Sequence, residues 1–194
     1  MPEHPPRKPA KSQEPREQAR QGSEVPIEAF RADARNLSAA DFEERHGSAF
    51  LLVTAAELRT PAGPAATMVN LADLDEPTFE RTAAVSLLVH PVLRTDRSLG
   101  DFVAVGRTSN NDVVIPDLSV SRFHAFLKPV GDGSFRIQDA NSTNGTGVNG
   151  SSVPAQGQGP PVQLKAGDNL RLGHVELTFV SAPALREFVL ARDS

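Results

Sequence analysis

Polar side chains with the chemistry to bind an anion are concentrated in three short segments of the second half of the chain. The segments are residues 106–112, 119–124 and 139–146. They contain two guanidinium groups among hydroxyl and amide donors, contributed by Arg107, Ser121, Arg122, Thr143 and Asn144. A phosphorylated side chain carries about −1.5 to −2 charges and three acceptor oxygens near neutral pH, and the forked donors of arginine suit it well. If the segments meet, they form a phosphate-binding site.

The same segments also hold a serine, a histidine and an aspartate, which is the composition of a hydrolase triad. These residues are Ser121, His124 and Asp139. The nucleophilic mechanism needs a serine on a sharp turn beside an oxyanion hole, and the chain has no Gly-x-Ser-x-Gly sequence to make that turn. A buried histidine satisfied by backbone groups is the favoured interpretation. We therefore expect a binding protein that is not an enzyme.

The glycines between residues 145 and 150 match the spacing of a dinucleotide-binding loop. Such a loop leads from a strand into a helix whose N-terminus faces the pyrophosphate, whereas Pro154, Pro160 and Pro161 follow here. The five histidines are scattered and cysteine is absent, which argues against a zinc-type ligand set. We expect no cofactor and no metal.

Composition excludes several other classes of partner. The 194-residue chain has 20 basic and 24 acidic side chains and a net charge of −4, so it has no strong positive field to attract nucleic acid or an anionic membrane. No apolar run approaches the roughly 18 residues of a membrane helix. The polar N-terminus lacks a secretory apolar core, and the absence of cysteine suits a reducing compartment. A cytoplasmic protein without nucleic-acid binding or membrane insertion is expected.

The first 84 residues are predicted to hold little regular structure. Residues 1–35 are rich in proline and charge and predict a disordered tail. In the extension 36–84, Ser38 caps a short helix that ends near His46 before Gly47. The apolar residues 50–53 fit a buried strand, although periodicity alone does not distinguish it from a helix. A loop follows, with one short element around residues 68–71. Phosphorylation of a threonine in this loop could fill the phosphate site in cis, the candidates being Thr60, Thr78 and Thr82.

From residue 85 onward, short apolar runs alternate with turn residues. The predicted strands are residues 85–93, 102–105, 113–115, 124–129, 135–139, 162–164, 169–172 and 175–180. Many short strands without intervening helices are typical of an all-β fold, here an antiparallel β-sandwich of about 10–11 strands over residues 85–182. Leu185, Phe188 and Val189 share one helical face. They predict a C-terminal helix over residues 183–194 that starts at Pro183 and packs on the sandwich.

Taken in order, the polar segments resemble the forkhead-associated (FHA) family of phosphothreonine-recognition modules. The matching pieces are Gly106-Arg107, Asn111-Asp112-Val113, Ser121-Arg122-Phe123-His124, Asp139 with Ser142-Thr143-Asn144-Gly145-Thr146, Asn149-Gly150, and Gly167-Asp168 with Gly173 before the last strand. The resemblance spans about residues 85–180 and implies an FHA/SMAD-like sandwich of the bacterial type. Each piece alone is a weak signal, whereas the ordered set is specific.

The resemblance implies a role for each residue of the site. Arg107 and Ser121 would bind the phosphate with help from Arg122, Thr143 would shape the phosphothreonine pocket, and Asn144 would hold the ligand backbone. The supports of loop geometry would be Gly106, His124 and Gly145. The implied partner is a phosphothreonine-containing protein, a Ser/Thr kinase or its substrate, and the implied function is that of an adaptor in kinase signalling. A phosphate-independent subunit of a larger assembly is the alternative.

Overall fold

Two β-sheets packed face to face around one apolar core form the framework of the molecule. The computed structural model describes residues 24–54, 58, 87–96, 98, 100–131 and 133–192. In chain order, the strands of these residues are β1 (Val25–Pro26), β2 (Ala49–Thr54), β3 (Leu87–Pro91), β4 (Val103–Gly106), β5 (Val113–Val114), β6 (Ala125–Gly131), β7 (Ser134–Asp139), β8 (Thr146–Val148), β9 (Ser151–Ser152), β10 (Val162–Leu164), β11 (Asn169–Leu172) and β12 (Val175–Ser181).

The first sheet has seven strands in the order β1-β3-β2-β12-β11-β8-β9, and the second has five in the order β10-β7-β6-β4-β5. Strand neighbours pair antiparallel except β4 and β5, which are parallel with Val105 opposite Val113. The predicted all-β sandwich is confirmed. The described residues contain twelve strands rather than about 10–11. Three of them, β1, β8 and β9, have no counterpart among the strand ranges predicted one by one.

Alternation along the strands directs one face of each sheet into the core. In β12, Val175, Leu177 and Phe179 are buried and the residues between them are partly exposed, which is the period of two that a strand with one buried face requires. β2 differs, because all six of its residues are buried. A second apolar layer must therefore cover the outer face of the first sheet.

That second layer is helical and comes from both ends of the described chain. It consists of a 3-10 helix (Ile27–Phe30), α1 (Arg31–Asn36), α2 (Ala39–His46) and α3 (Ala182–Ala191). Its apolar side chains form a second buried cluster with the outward residues of β2 and β3. None of the helices in the described residues is long and apolar enough to cross a membrane.

Two helices were predicted, one from its capping residues and one from its apolar face, and both are confirmed. The Ser38 side chain accepts a hydrogen bond from the Asp41 backbone N–H at 3.1 Å and caps α2, and Gly47 ends that helix with a φ of 101°. Only a residue tolerant of positive φ fits there. α3 begins at Ala182, so Pro183 lies in its first turn, where its fixed φ is compatible with a helix.

The prediction of a disordered tail up to residue 35 is wrong for residues 25–35, which form β1, the 3-10 helix and most of α1. Four apolar side chains in this stretch are buried, namely Val25, Ile27, Phe30 and Ala34. The strand predicted at residues 50–53 is confirmed as β2, but it pairs with β3 and β12 inside the first sheet, so the sandwich begins before residue 85. The element near residues 68–71 and the three candidate threonines lie outside the described residues.

Candidate functional site

Antiparallel pairing brings several strand ends together at one end of the sandwich. There β4, β7 and β11 end and β6, β8 and β12 begin. The loops that connect them are residues 107–112, 115–124, 140–145 and 173–174, and we call this end of the molecule the rim. All three polar segments singled out in the sequence reach it.

Hydrogen bonds at the rim join the three segments directly. The Arg107 backbone N–H donates to the Ser121 carbonyl at 3.0 Å. The Ser121 Oγ accepts from the Thr143 backbone N–H at 3.0 Å, and the Oγ atoms of Ser121 and Thr143 are 3.4 Å apart. The structure thus brings Arg107, Ser121 and Thr143 into one site, with Ser121 in the middle.

The start of the first rim loop packs tightly against the second. A Cβ atom added to Gly106 would lie 2.3 Å from the Arg122 carbonyl oxygen, so only glycine fits at this point without a shift of the backbone. The same carbonyl accepts from Asn111 Nδ2 at 2.7 Å and from Thr108 Oγ1 at 3.0 Å. The backbone of Arg122 is therefore held in place while its side chain remains exposed.

The guanidinium of Arg107 is incompletely satisfied. Its Nε is buried and has no hydrogen-bond partner among the described residues, although buried polar atoms are almost always paired. Leaving such a donor unpaired costs about 1–3 kcal/mol or more for a charged group. His90 Nε2 and Arg186 Nε are likewise buried and unpaired among the described residues, so it is the position of Arg107 beside Ser121, together with the missing partner, that indicates an anion site.

Asn144 is fixed from both sides. Its Nδ2 donates to the Ser119 carbonyl at 2.8 Å, and its own carbonyl lies 3.5 Å from Nη1 of Arg171, which also donates to the Gly173 carbonyl at 2.8 Å. Asn144 is itself exposed. These contacts fix the backbone of the third rim loop and leave Asn144 at the surface, where a ligand can reach it.

His124 is a buried histidine satisfied by backbone groups. Its Nδ1 accepts from the Ser121 backbone N–H at 3.0 Å, and its Nε2 donates to the Gly145 carbonyl at 3.1 Å. This pattern requires the neutral ring protonated on Nε2, and burial lowers the pKa of His124, which favours that neutral form. Gly145, with a φ of 74°, turns its carbonyl to meet the ring, so His124 and Gly145 together tie the second rim loop to the third.

The geometry around Ser121, His124 and Asp139 is not that of a nucleophilic triad. His124 faces the main chain of Ser121 rather than its hydroxyl. Asp139 accepts from the Ser142 N–H and Oγ and from Thr146 Oγ1 at 2.6–2.9 Å. Burial raises the pKa of Asp139, but these hydrogen bonds outweigh burial and hold it below its ordinary value. The carboxylate thus braces the third loop.

The glycines at residues 145–150 lie in a β-hairpin. β8 and β9 pair with Val148 opposite Ser151, and the turn between them has positive φ at Asn149 and Gly150, the usual chemistry of a two-residue hairpin. No helix follows this hairpin in residues 151–181, so the dinucleotide mechanism has no support. The described residues also contain no cluster of metal-ligating side chains.

The sequence did not assign a role to three residues that organise the site. Asn111 is buried and holds the Arg122 carbonyl, Ser119 accepts from Asn144 through its carbonyl and from His174 N–H through its Oγ, and Arg171 reaches the third loop from β11. Asn111 belongs to the Asn111-Asp112-Val113 motif, so its role at the site could have been predicted from the sequence. Ser119 and Arg171 contact residues that are far away in the chain. These contacts depend on how distant strands pair, which a single sequence does not show.

A known protein family matches the part of the chain that forms the rim. The family model described as the FHA domain matches residues 103–173, which run from β4 to the rim loop after β11. Residues 103–173 therefore match an FHA domain. The matched stretch contains every rim residue predicted from the sequence.

Relatives of this chain include a bacterial transporter protein and a bacterial enzyme inhibitor. It is 37% identical to the ABC transporter ATP-binding/permease protein Rv1747 of Mycobacterium tuberculosis, over 49% of this chain and 11% of that protein. It is 34% identical to the oxoglutarate dehydrogenase inhibitor of Corynebacterium glutamicum, over 41% of this chain and 50% of that protein. The match thus spans half or less of the length of these two relatives.

One similar solved structure contains an FHA domain bound to a protein partner. It is the FhaA FHA domain complexed with the intracellular domain of Rv3910, which is 35% identical over 44% of this chain and 87% of that chain, with a TM-score of 0.36.

Proposed function

We propose that the rim of this FHA domain binds a phosphothreonine on a partner protein, and that the chain acts as a non-catalytic adaptor in Ser/Thr kinase signalling. The observation that carries the proposal is the buried Arg107 Nε without a partner among the described residues, in a loop hydrogen-bonded to Ser121. A phosphate dianion beside Ser121 would give the guanidinium group of Arg107 an acceptor, and charge-assisted hydrogen bonds of this kind are about twice as strong as neutral ones.

The neighbouring donors complete the pocket. Ser121 Oγ accepts from the Thr143 N–H and donates to Thr143 Oγ1 over a long 3.4 Å contact, which a phosphate oxygen would replace as the acceptor of its proton. Arg122 adds a second guanidinium from an exposed position on a fixed backbone. Asn144, held by Ser119 and exposed, is available to the peptide backbone beside the phosphothreonine.

The charge of the pocket comes from arginine alone. His124 is neutral in its hydrogen-bonding pattern and burial lowers its pKa, so it adds no positive charge. Since the whole chain has a net charge of −4, attraction of an anion is a local property of the rim. Phosphate recognition should therefore depend strongly on the guanidinium of Arg107.

The names of the relatives support a regulatory role. Besides the oxoglutarate dehydrogenase inhibitor, they include the glycogen accumulation regulator GarA of Mycolicibacterium smegmatis, 34% identical over 41% of this chain and 46% of that protein. Both names describe proteins that control other proteins or processes. We infer that this chain likewise acts by binding, and that its partner is a Ser/Thr kinase or a protein phosphorylated by one.

Substitution of Arg107 tests the proposal. Arg107→Ala is expected to weaken binding of phosphothreonine peptides at least about tenfold, because a charge-assisted hydrogen bond contributes roughly 1.5–3 kcal/mol. Calorimetric titration with a degenerate phosphothreonine peptide pool measures this. Arg136→Ala, which removes an exposed arginine from β7, is the matched control and should bind as the unmodified chain does. An unchanged dissociation constant for Arg107→Ala would refute the role of Arg107.

Phosphatase treatment separates this function from the assembly role. The chain is used to capture partners from cells before and after dephosphorylation of the lysate. Loss of the captured proteins after treatment is expected if the rim reads phosphothreonine. Retention of the same proteins, together with unchanged capture by Arg107→Ala, would instead favour a phosphate-independent assembly subunit.

A further inference from the structure

Two parts of the chain alternate across the first sheet. We call residues 24–58 the N-terminal unit and residues 87–192 the C-terminal unit. In the order β1-β3-β2-β12, the first and third strands belong to the N-terminal unit, and the second and fourth belong to the C-terminal unit. β3 therefore lies between two strands of the other unit, and β2 lies between β3 and β12. The two units are interlocked rather than placed side by side.

No tight turn enforces the pairing of β2 with β3. Thr54 and Leu87 are cross-strand partners, yet residues 55–86 separate them along the chain. Two antiparallel strands can be joined by a two-residue hairpin, and in such a hairpin the turn fixes the register. Because the connection is much longer here, the register of β2 must come from the contacts of the strand itself.

β2 contacts the C-terminal unit along its whole length. It pairs with β3 through residues 50–54 and with β12 through residues 49–52, and all six of its residues are buried. Leu51 faces the core between the two sheets, whereas Phe50 and Leu52 face the helical layer. A slip of one residue would exchange the side chains on the two faces, so packing on both faces holds the register.

The apolar cluster under the helices is shared between the two units, and each of its buried residues is at most 3% exposed. The N-terminal unit contributes Val25, Ile27, Phe30, Ala34, Phe42, Phe50 and Leu52, and the C-terminal unit contributes Leu87, Val89, Ala182, Leu185 and Val189. Interfaces of obligate complexes have this character, because they resemble a domain core cut in half. Neither unit can bury its share of the cluster by itself.

Two backbone hydrogen bonds between the units fix the start of β2. The Ala182 N–H donates to the Ser48 carbonyl at 3.0 Å, and the Val92 N–H donates to the Ala49 carbonyl at 2.9 Å. At the edge of the sheet, β1 pairs with β3. Contacts between the units therefore extend from this edge to α3, and all of them are made by residues outside the connection between β2 and β3.

We propose that the C-terminal unit binds the N-terminal unit as a separable partner, through an interface that persists when the chain is cut between residues 58 and 87. The partner that fits this surface supplies an edge strand, an apolar helical segment and an interior strand in that order. Cleavage of the connection then leaves the domain assembled. This inference concerns how the domain is assembled and does not depend on the proposed function.

Cleavage of the folded full chain tests this inference. A recognition sequence for a site-specific protease is inserted between residues 70 and 71, and the folded chain is cut there. We expect the two pieces to elute together in gel filtration as a one-to-one complex, with an unchanged circular dichroism spectrum. After unfolding in urea and dilution, the pieces should reassemble. The urea midpoint of the cut protein should rise with protein concentration, because association now contributes to stability, whereas that of the uncut chain should not.

Leu52→Ala examines the shared cluster, in which Leu52 lies. A folded Leu52→Ala chain, cut in the same way, should show association of the two pieces weakened at least about tenfold. Glu28→Ala is the matched control, because Glu28 belongs to the same unit but is exposed. Its pieces should associate as those of the unmodified chain do.

Separation of the unmodified pieces after cleavage, loss of their circular dichroism signal or elution only as larger aggregates would overturn the inference. Equal association of the Leu52→Ala and Glu28→Ala pieces would also contradict it, because the shared cluster would then not hold the units together. None of these measurements uses a phosphopeptide. Failure here therefore leaves the proposed function intact, and failure of phosphothreonine binding leaves this inference intact.

Discussion

The side-chain nitrogen atoms of His124 and Arg107 differ in whether they have hydrogen-bond partners within the protein. Both ring nitrogens of His124 have backbone partners, so the histidine contributes to the structure of the loops. The Nε of Arg107 has no partner in the described part of the chain, so this nitrogen makes no hydrogen bond that stabilises the fold. Loss of Arg107 should consequently reduce binding without lowering the free energy of unfolding, because an unpaired buried donor costs stability.

His90 is a second buried histidine and makes stability depend on pH. It lies on β3 and is 2% exposed, and burial lowers its pKa to about 4, whereas an unfolded histidine titrates near 6.5. As the pH falls below about 6.5, the unfolded chain takes up a proton that the folded chain does not. The free energy of unfolding should therefore decrease by about 2 kcal/mol between pH 7 and pH 5.

Urea denaturation at the two pH values measures this decrease. His90→Leu replaces the titrating imidazole with an apolar side chain that can remain buried. This variant should lose most of the dependence of stability on pH. Burial also lowers the pKa of His124, which leaves a smaller dependence of the same sign. Equal stability of the unmodified chain at pH 7 and pH 5 would contradict the prediction.

The sequence was sufficient to predict which residues meet at the rim, but it did not predict all the contacts that hold them in place. The polar type and order of Arg107, Ser121 and Thr143 were sufficient to expect a common site, and their backbones and hydroxyls are hydrogen-bonded to one another. Arg171 was missed because its contact with Asn144 depends on the pairing of β11 with β8. Such pairing joins residues far apart in the chain, which local patterns do not encode.

At the scale of elements, apolar alternation bounded by turn residues located most strands. β10 and β11 have the predicted limits. β8 was missed because its three residues include Gly147, and glycine weakens a strand signal. The 3-10 helix and α1 were missed because their few apolar residues follow a long proline-rich stretch, and their stability comes from packing on the first sheet rather than from local preference.

α3 offers an element-level test of that packing. Leu185 is fully buried in the cluster between the helices and the first sheet, so Leu185→Ala should lower the free energy of unfolding by about 2–5 kcal/mol. Glu187→Ala changes an exposed position of the same helix and should stay within about 0.5 kcal/mol of the unmodified chain. Urea denaturation followed by circular dichroism compares the two. Equal stabilities would mean that α3 contributes little to the fold.

For the whole molecule, the described segments before residue 85 are part of the sandwich. β2 lies between β3 and β12 in the first sheet, and Phe30, Phe42 and Phe50 fill the second cluster. A chain that starts at residue 85 would lose an interior strand and expose apolar surface. We expect it to be unfolded by circular dichroism, whereas a chain of residues 24–194 should fold. Cooperative thermal unfolding of the chain that starts at residue 85 would show that the fold does not need the segments before that residue.

The surface position of Phe123 has a practical consequence, because the chain contains neither tryptophan nor tyrosine. Phe123→Trp would keep an aromatic ring at this position, where the side chain is 41% exposed, and would introduce a single indole fluorophore. Its emission would change as the ring leaves solvent. Encounter and release of a ligand at this edge could then be followed in real time without any label on the ligand.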